Sequence, residues 1–262
     1  MTIGAKIIVD SVHDGRRLTT FQLRYPRFIH SEFMTHRVFS RNASSSRAIP
    51  VERLIEEVMT DPAMPIHWGK NQPGMQAREE HESVIHMPND GTLYAQDAWL
   101  HARDNAVDMA RRFVTAGYHK QIVNRLLEPF AHINVVVTAT DWDNFFALRI
   151  HEDAQPEIRA LAEKMKYLMD NWIPLHREED ELHLPYITPS DAGTLDELAR
   201  MSAARCARVS YGEPRPGDDL ALANKLKKAG HWSPFEHQAY AEAGAVSANF
   251  KGWVQFRQEI CV

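Results

Sequence analysis

An apolar stripe between residues 156 and 172 constrains the fold more than any other feature of the chain. Ile158, Leu161, Met165 and Leu168 recur at helical spacing, with charged residues between them. A helix of this kind must pack its apolar face against another layer of the same chain or against a second subunit. Strand-like segments elsewhere could supply that layer. The pattern predicts an α+β fold with helices packed on an antiparallel sheet.

Three segments have strand character, and they lie at residues 5–10, 17–24 and 133–140. They are β-branched or alternate polar with apolar residues, and Asp14-Gly15 predicts a hairpin turn between the first two. Alternation in the tail predicts further strands at 239–257. Helices are predicted at 51–59, 97–116, 119–127, 141–149, 195–207 and 220–228, with a helix or bend at 28–34 and a break at 212–218. Without repeats or composition shifts, residues 1–262 are expected to form a single domain.

Composition excludes several classes of function. The net charge of −5 argues against a general nucleic-acid binder, which is usually basic. Cys206 and Cys261 supply neither a disulfide framework nor a metal cluster, and His81 and His86 in HESVIH have the wrong spacing for a zinc helix. No metal site is expected. The absence of a long apolar segment or a leader predicts a cytoplasmic protein that does not bind membranes.

Residues 35–47, THRVFSRNASSSR, have little apolar content and follow a largely apolar segment. They combine arginines with an asparagine and four serines. Guanidinium, hydroxyl and backbone N–H groups together suit a phosphate or another anion. A solvated, serine-rich surface loop would have the same composition. A second polar loop at 61–77, with three prolines, could be a binding lid or a packed surface loop.

The chain offers groups that hold an anion but no evident nucleophile. Arg125, Arg149 and the segment HWSPFEH carry suitable side chains, whereas no GxSxG, GxGxxG or Walker motif occurs. Cys206 has no base beside it in the sequence. This combination indicates an enzyme whose reactive atoms belong to a cofactor, with the protein supplying binding and orientation.

Several motifs together resemble the flavin-dependent thymidylate synthases. HRVFSRNASSSR is similar to that family's R-H-R-x-x-S-x-N-E-x-S-x-R, and VNRLLEP to its V-A-R-x-x-L-P. DNFFALRIHEDAQPEI is similar to M-N-F-L-x-L-R-x-x-x-x-A-Q-x-E-I. CARVSYG and GHWSPFEH resemble two further family segments. The matched segments cover about half of the chain.

The order of these segments differs from the family's order. The CARVSY and SPFEH segments usually precede the arginine signature, but here they lie within residues 200–262. The chain is therefore predicted to be circularly permuted or to carry a transposed segment, which is tolerated when the termini lie close together. The strands at 239–257 and 5–24 are expected to meet near the old junction.

The resemblance implies FAD-dependent transfer of a one-carbon unit from methylene-tetrahydrofolate to C5 of a pyrimidine deoxynucleotide. Reductive methylation of dUMP to dTMP is the expected reaction, with NADPH as the reductant. The resemblance also implies a homotetramer whose active sites lie between subunits. When the family's functional residues are assigned to the matching positions of this chain, dUMP or a related nucleotide is expected to contact Ser45, Ser46, Arg47, Arg125, Arg149 and Glu32. Arg149 is then the catalytic group against the pyrimidine. FAD is expected to contact His36, Arg37, Asn42, Asn144, His231 and Ser233.

The chain also departs from the family pattern. Thr35 and Ala43 replace the signature's first Arg and its Glu, and Glu32 stands where the family has Gln. Asp153 replaces a His and Thr138 an Asn. A flavin-dependent hydroxymethylase acting on dUMP or dCMP is therefore an alternative, and a catalytically silent nucleotide-binding protein is an alternative of another class.

Overall fold

The computed structural model describes residues 3–88, 91–211 and 218–260. Its strands are β1 (Gly4–His13), β2 (Arg16–Pro26), β3 (Ser40–Ala43), β4 (Ile85–His86), β5 (Thr92–Leu93), β6 (His132–Ala139), β7 (Leu175–His176), β8 (Leu182–His183), β9 (Ala239–Ser247) and β10 (Phe250–Gln255). Its α-helices are α1 (His30–Phe33), α2 (Val51–Thr60), α3 (Ala95–Thr115), α4 (Lys120–Val123), α5 (Asp143–Arg149), α6 (Pro156–Asn171), α7 (Leu195–Ala207), α8 (Asp219–Lys228) and α9 (Phe256–Ile260). Short 3-10 helices cover Arg27–Ile29, Asn124–Phe130, Arg208–Tyr211 and Ser233–Glu236.

The N-terminal hairpin forms as its turn residues predict. Asp14 and Gly15 both have positive φ, 42° and 69°, and His13 pairs with Arg16. A two-residue turn with this backbone matches the twist of the strands that it joins. β1 and β2 then form the centre of the main sheet.

The main sheet has the order β3-β6-β2-β1-β7 among the described residues. All of its pairs are antiparallel except that of β1 with the short strand β7. The predicted α+β fold with an antiparallel sheet is therefore confirmed.

Helices cover one face of this sheet. Val135 and Val137 of β6 belong to a core that also contains Ile158 and Leu161 of α6 and Phe145 of α5. The apolar stripe of α6 is thus core within the chain, as its spacing predicts.

The C-terminal part of the chain covers the other face. Val136 of β6 packs against Cys206 and Val209, and Leu18 of β2 packs among residues of β9 and β10. β6 is therefore buried on both faces, which explains why its sequence is an almost continuous run of β-branched residues.

The strands β9 and β10 lie against the N-terminal hairpin. The Trp253 indole donates a hydrogen bond to the Arg16 carbonyl at 3.1 Å. Gly252, with φ of 75°, allows this approach, since a Cβ there would lie 2.8 Å from the Arg16 side chain. The two ends of the chain therefore pack side by side.

A buried charge cluster holds the C-terminal helices together. The Arg205 guanidinium of α7 pairs with Asp191 at 2.6 Å and with Asp219 of α8 at 2.9 Å, and Arg208 also pairs with Asp219. These hydrogen bonds keep the pKa of the Asp191 carboxyl well below its usual range. The Asp191 carboxyl therefore stays ionised at neutral pH.

Two predicted elements differ from the structure, and a third lies almost entirely outside the described residues. The helix expected at 119–127 is α-helical only over Lys120–Val123, and a 3-10 helix containing Pro129 follows, because proline is incompatible with the interior of an α-helix. The tail strand ends at Gln255, and Phe256 begins α9. The break at 212–218 falls, except for Asp218, outside the described residues, as does Cys261.

The surface-loop interpretation of the serine-rich stretch is wrong for its centre. Ser40–Ala43 forms the edge strand β3, and Ser44 and Ser46 are buried. β3 pairs with β6, which lies far away in the sequence. Local composition contains no sign of such a pairing.

Candidate active site

Arg149 lies at the end of α5 and is held by three side chains. Its Nε donates to His36 Nε2 at 2.9 Å, and its Nη2 donates to Thr35 Oγ1 at 3.2 Å. Nη1 lies 3.6 Å from Glu32 Oε2. The guanidinium is thereby fixed in orientation while a fifth of the Arg149 side chain, 20%, stays exposed.

His36 is buried between Phe39 and Phe145, with ring centroids 5.7 Å and 4.9 Å away. Burial lowers the pKa of His36 to about 4, and the positive charges of Arg149 and Arg41 contribute. The ring is therefore neutral at physiological pH, and its Nε2 is free of a proton to accept from Arg149. His36 orients the arginine as an acceptor.

A cleft of about 940 Å³ opens beside Arg149. Glu32 and Arg149 contribute polar groups to its wall, and Phe28 and Trp99 contribute aromatic surface. The volume and mixed lining suit a ligand that carries an aromatic ring and polar edges. Ser46, Arg47 and Arg125 are not among the described residues that line it.

The loop at 61–77 folds over this cleft and is packed onto itself. Trp68 meets Trp99 edge-to-face at 6.1 Å, and His67 Nδ1 lies 2.8 Å from Glu80 Oε1. A side chain at Gly69 would collide with Ala77, because an added Cβ would lie 2.2 Å from the Ala77 Cβ. The loop is therefore a packed wall of the cleft.

A second polar cluster surrounds the end of the serine-rich stretch. Ser46 Oγ donates to Glu128 Oε1 at 2.7 Å, and Arg125 Nη1 donates to the same oxygen at 2.7 Å. Ser45 and Arg47 are exposed beside it. The structure thus brings three of the predicted nucleotide-binding groups, Ser45, Ser46 and Arg47, to one place and joins Ser46 to Arg125 through a carboxylate.

The Asn42 side chain joins the serine-rich stretch to both C-terminal motifs. Its Nδ2 donates to the Cys206 carbonyl at 2.8 Å, and its Oδ1 accepts from Ser233 Oγ at 3.1 Å. The segments that are far apart in sequence therefore meet at β3.

His237 belongs to a buried chain of hydrogen bonds rather than to a ligand site. Thr138 Oγ1 lies 2.9 Å from His237 Nδ1 and 2.7 Å from Thr20 Oγ1, and Thr20 lies 2.8 Å from His183 Nε2. Ser11 Oγ ends the chain at 2.9 Å from His183 Nδ1. All five side chains are buried, so they join the sheet to the C-terminal part of the protein.

The described residues contain no candidate for a metal site or for a membrane-spanning helix. No group of three or more metal-ligating side chains is found there. None of the described helices is long and apolar enough to cross a membrane.

Comparison with known protein families identifies the family to which this chain belongs. Residues 18–175, more than half of the chain, match the model of the thymidylate synthase complementing proteins. The chain belongs to this family. The relationship inferred from the motifs is confirmed, and the family supports modification of a pyrimidine nucleotide at C5 as the class of chemistry.

Two solved structures show a more distant likeness. Both are crystal structures of PolB, a UMP/dUMP methylase from Streptomyces cacaoi. The complex with 5-Br UMP is 17% identical with a TM-score of 0.47, covering 67% of this chain and 90% of PolB. The complex with 5-Br dUMP is 19% identical with a TM-score of 0.41, covering 61% and 68%. No curated protein matches the chain in sequence.

The region that matches the family model ends before both C-terminal motifs. Cys206 and Ser233 lie beyond residue 175, yet both contact Asn42 inside the matched region. The two C-terminal motifs therefore contact the matched region through one side chain.

The residues predicted to hold flavin separate into two groups. Arg37, Asn144, His231 and Ser233 are exposed, and their guanidinium, amide, imidazole and hydroxyl groups suit the phosphates and ring edges of FAD. His36 is only 6% exposed and bonds Arg149 instead. The four exposed side chains are thus of the chemical type that binds FAD, whereas His36 supports the arginine.

Two departures from the family signature meet at Arg149. Thr35 accepts a hydrogen bond from it, and Glu32 faces it with a carboxylate. A threonine and a glutamate replace an arginine and a neutral glutamine here. The charge beside Arg149 is thus more negative than the signature implies.

Proposed function

We propose that this protein transfers a one-carbon unit from methylene-tetrahydrofolate to C5 of a pyrimidine deoxynucleotide. The preferred reaction is reductive methylation of dUMP to dTMP, with FAD as cofactor and NADPH as reductant. The observation that carries the proposal is Arg149, held by His36 and Thr35 at the wall of a cleft of suitable size.

Arg149 is proposed as the catalytic group. A pyrimidine bound in the cleft would place a ring carbonyl near the guanidinium, which stabilises negative charge that develops on that oxygen. Neutral His36 keeps the guanidinium aimed at the cleft without adding a competing charge. Reduced flavin, when bound, supplies the hydride.

Cys206 does not serve as a nucleophile towards the base. Its side chain is completely buried, and burial raises the pKa of its thiol. Because a thiolate is the reactive form, this cysteine is inert. The structure of this part of the chain therefore agrees with one-carbon transfer that needs no attack by Cys206.

The nucleotide phosphate is assigned to Ser45, Ser46, Arg47 and Arg125. The described lining of the cleft does not include Ser46, Arg47 or Arg125. This supports a site completed by a second subunit, as in the proposed homotetramer. We also propose that residues 1–262 form a single permuted domain, located in the cytoplasm.

Hydroxymethylation of dUMP or dCMP is the second candidate. It is favoured by the replacement of the signature arginine with Thr35 and by the Glu32 carboxylate beside Arg149. The one-carbon donor would be the same, and water would complete the reaction in place of hydride.

Binding measurements test the assignment of the nucleotide site. Arg47→Ala should abolish dUMP binding and leave FAD bound, because Arg47 is exposed on the proposed phosphate side. Arg112→Ala removes an exposed arginine from α3, where it pairs with Asp108, and serves as the control. Unchanged dUMP affinity in Arg47→Ala would refute this role. A colourless protein that cannot take up FAD would refute the flavin enzyme and leave the catalytically silent nucleotide-binding protein.

A further inference from the structure

Glu128 contacts three side chains at the proposed phosphate site, and no sequence motif predicts these contacts. Its Oε1 accepts from Ser46 Oγ and from Arg125 Nη1, both at 2.7 Å, and lies 3.1 Å from Arg27 Nη2. One carboxylate oxygen thus lies between a hydroxyl group and two guanidinium groups. A phosphate oxygen would require the same donors.

The position of Glu128 is unusual within the motif that it interrupts. VNRLLEP is similar to V-A-R-x-x-L-P, in which a leucine stands directly before the proline. A leucine cannot accept a hydrogen bond, so the donors of such a site would be available to a ligand.

The serine-rich stretch does not depend on Glu128 for its backbone position. Asn124 Nδ2 donates to the Ser46 carbonyl at 2.7 Å and to the Ile49 carbonyl at 3.0 Å. Asn124 is completely buried, whereas the Glu128 side chain is 22% exposed. Asn124 thus already holds the backbone of this stretch in place, so the Glu128 carboxylate is available for a different role.

We propose that Glu128 is a specificity-determining residue that competes with the substrate's phosphate for Ser46 and Arg125. This inference rests on the nucleotide site proposed above. The carboxylate offsets one of the two nearby guanidinium charges and repels a phosphate dianion. Phosphate binding therefore requires Glu128 to give up its hydrogen bonds, which lowers the affinity for nucleotides but not for nucleosides.

Calorimetric titration of the full chain with dUMP and with deoxyuridine tests this competition. Glu128→Gln keeps the side-chain length and an acceptor oxygen but removes the charge. One charge at a few Å in a largely aqueous setting changes the affinity for dUMP by about fivefold, so the variant should bind dUMP about fivefold more tightly. Its affinity for deoxyuridine should stay within about twofold.

Two further variants complete the design. Glu163→Gln removes the same charge from the exposed face of α6, where Glu163 pairs with Arg159, and should leave both affinities unchanged. Glu128→Asp keeps the charge and should not tighten dUMP binding. Thermal unfolding of each variant checks that it folds.

The outcomes separate this inference from the proposed function. Equal or weaker dUMP binding by Glu128→Gln, or equal tightening for deoxyuridine, would overturn the role of Glu128. The absence of dUMP binding in every variant would overturn it as well. Tighter dUMP binding without any product in a turnover assay would overturn only the proposed reaction.

Discussion

Acidification should destabilise this protein through its buried histidines. His183 and His237 are completely buried, and burial lowers the pKa of each to about 3. Both are therefore neutral in the folded protein at every pH above that value. In the unfolded chain the pKa of histidine returns to about 6.5.

The sign and size of the effect follow from these two pKa values. Below about pH 6.5 the unfolded state binds a proton that the folded state does not, so the free energy of unfolding falls as the pH falls. Between about pH 7.5 and about pH 5.5 each histidine should cost about 1.4 kcal/mol, or about 3 kcal/mol for the pair. The loss continues until the folded pKa is reached. His13, whose pKa is raised by its hydrogen bond with the Arg177 carbonyl, opposes this loss.

Urea unfolding at both pH values measures the effect. His237→Gln removes one of the two groups, so its stability should fall by about 1.4 kcal/mol less than that of the wild type over the same interval. His101→Gln, on the exposed face of α3, should show the wild-type fall. If His237→Gln loses as much stability on acidification as the wild type, the assignment of a neutral buried His237 is refuted.

Three substitutions test other parts of the structure. Arg205→Met should lower the free energy of unfolding by about 3 kcal/mol in urea titrations, because it removes the guanidinium between Asp191 and Asp219 and leaves Asp191 without its ion pair, and a loss below about 1 kcal/mol would contradict this. Asn42→Ala should weaken FAD binding by about tenfold in fluorescence titrations, because it loses the hydrogen bonds with Cys206 and Ser233, while circular dichroism stays unchanged. Unaltered FAD affinity would show that FAD binding does not depend on Asn42. Glu32→Gln should raise the rate of C5 modification about threefold in single-turnover assays, because it removes the carboxylate beside Arg149; a slower reaction would show that Glu32 assists.

The sequence predicts those elements whose cause is local. Asp14-Gly15 specifies the turn of the first hairpin by backbone conformation alone. The stripe of α6 specifies its buried face by spacing, and the β-branched run of β6 specifies a strand buried on both sides. In each case the decisive information lies within one segment.

The remaining features depend on distant pairing. β3 is a strand because it lies beside β6, and nothing in its serines and arginines indicates that neighbour. The grouping of Glu32 and Thr35 around Arg149 arises only when α1 and α5 meet. The contact of Glu128 with Ser46 also depends on distant pairing, and its signal in the sequence is a glutamate in place of the leucine of a matched motif.

Turnover followed by mass spectrometry tests the proposed one-carbon transfer. The protein is incubated with FAD, NADPH and methylene-tetrahydrofolate and with either dUMP or dCMP, and the product nucleotide is weighed. The expected product is dUMP carrying one added methyl group, and the same incubation without methylene-tetrahydrofolate should give none. Recovery of both nucleotides unchanged, from protein that holds FAD and binds dUMP, would contradict the proposed one-carbon transfer.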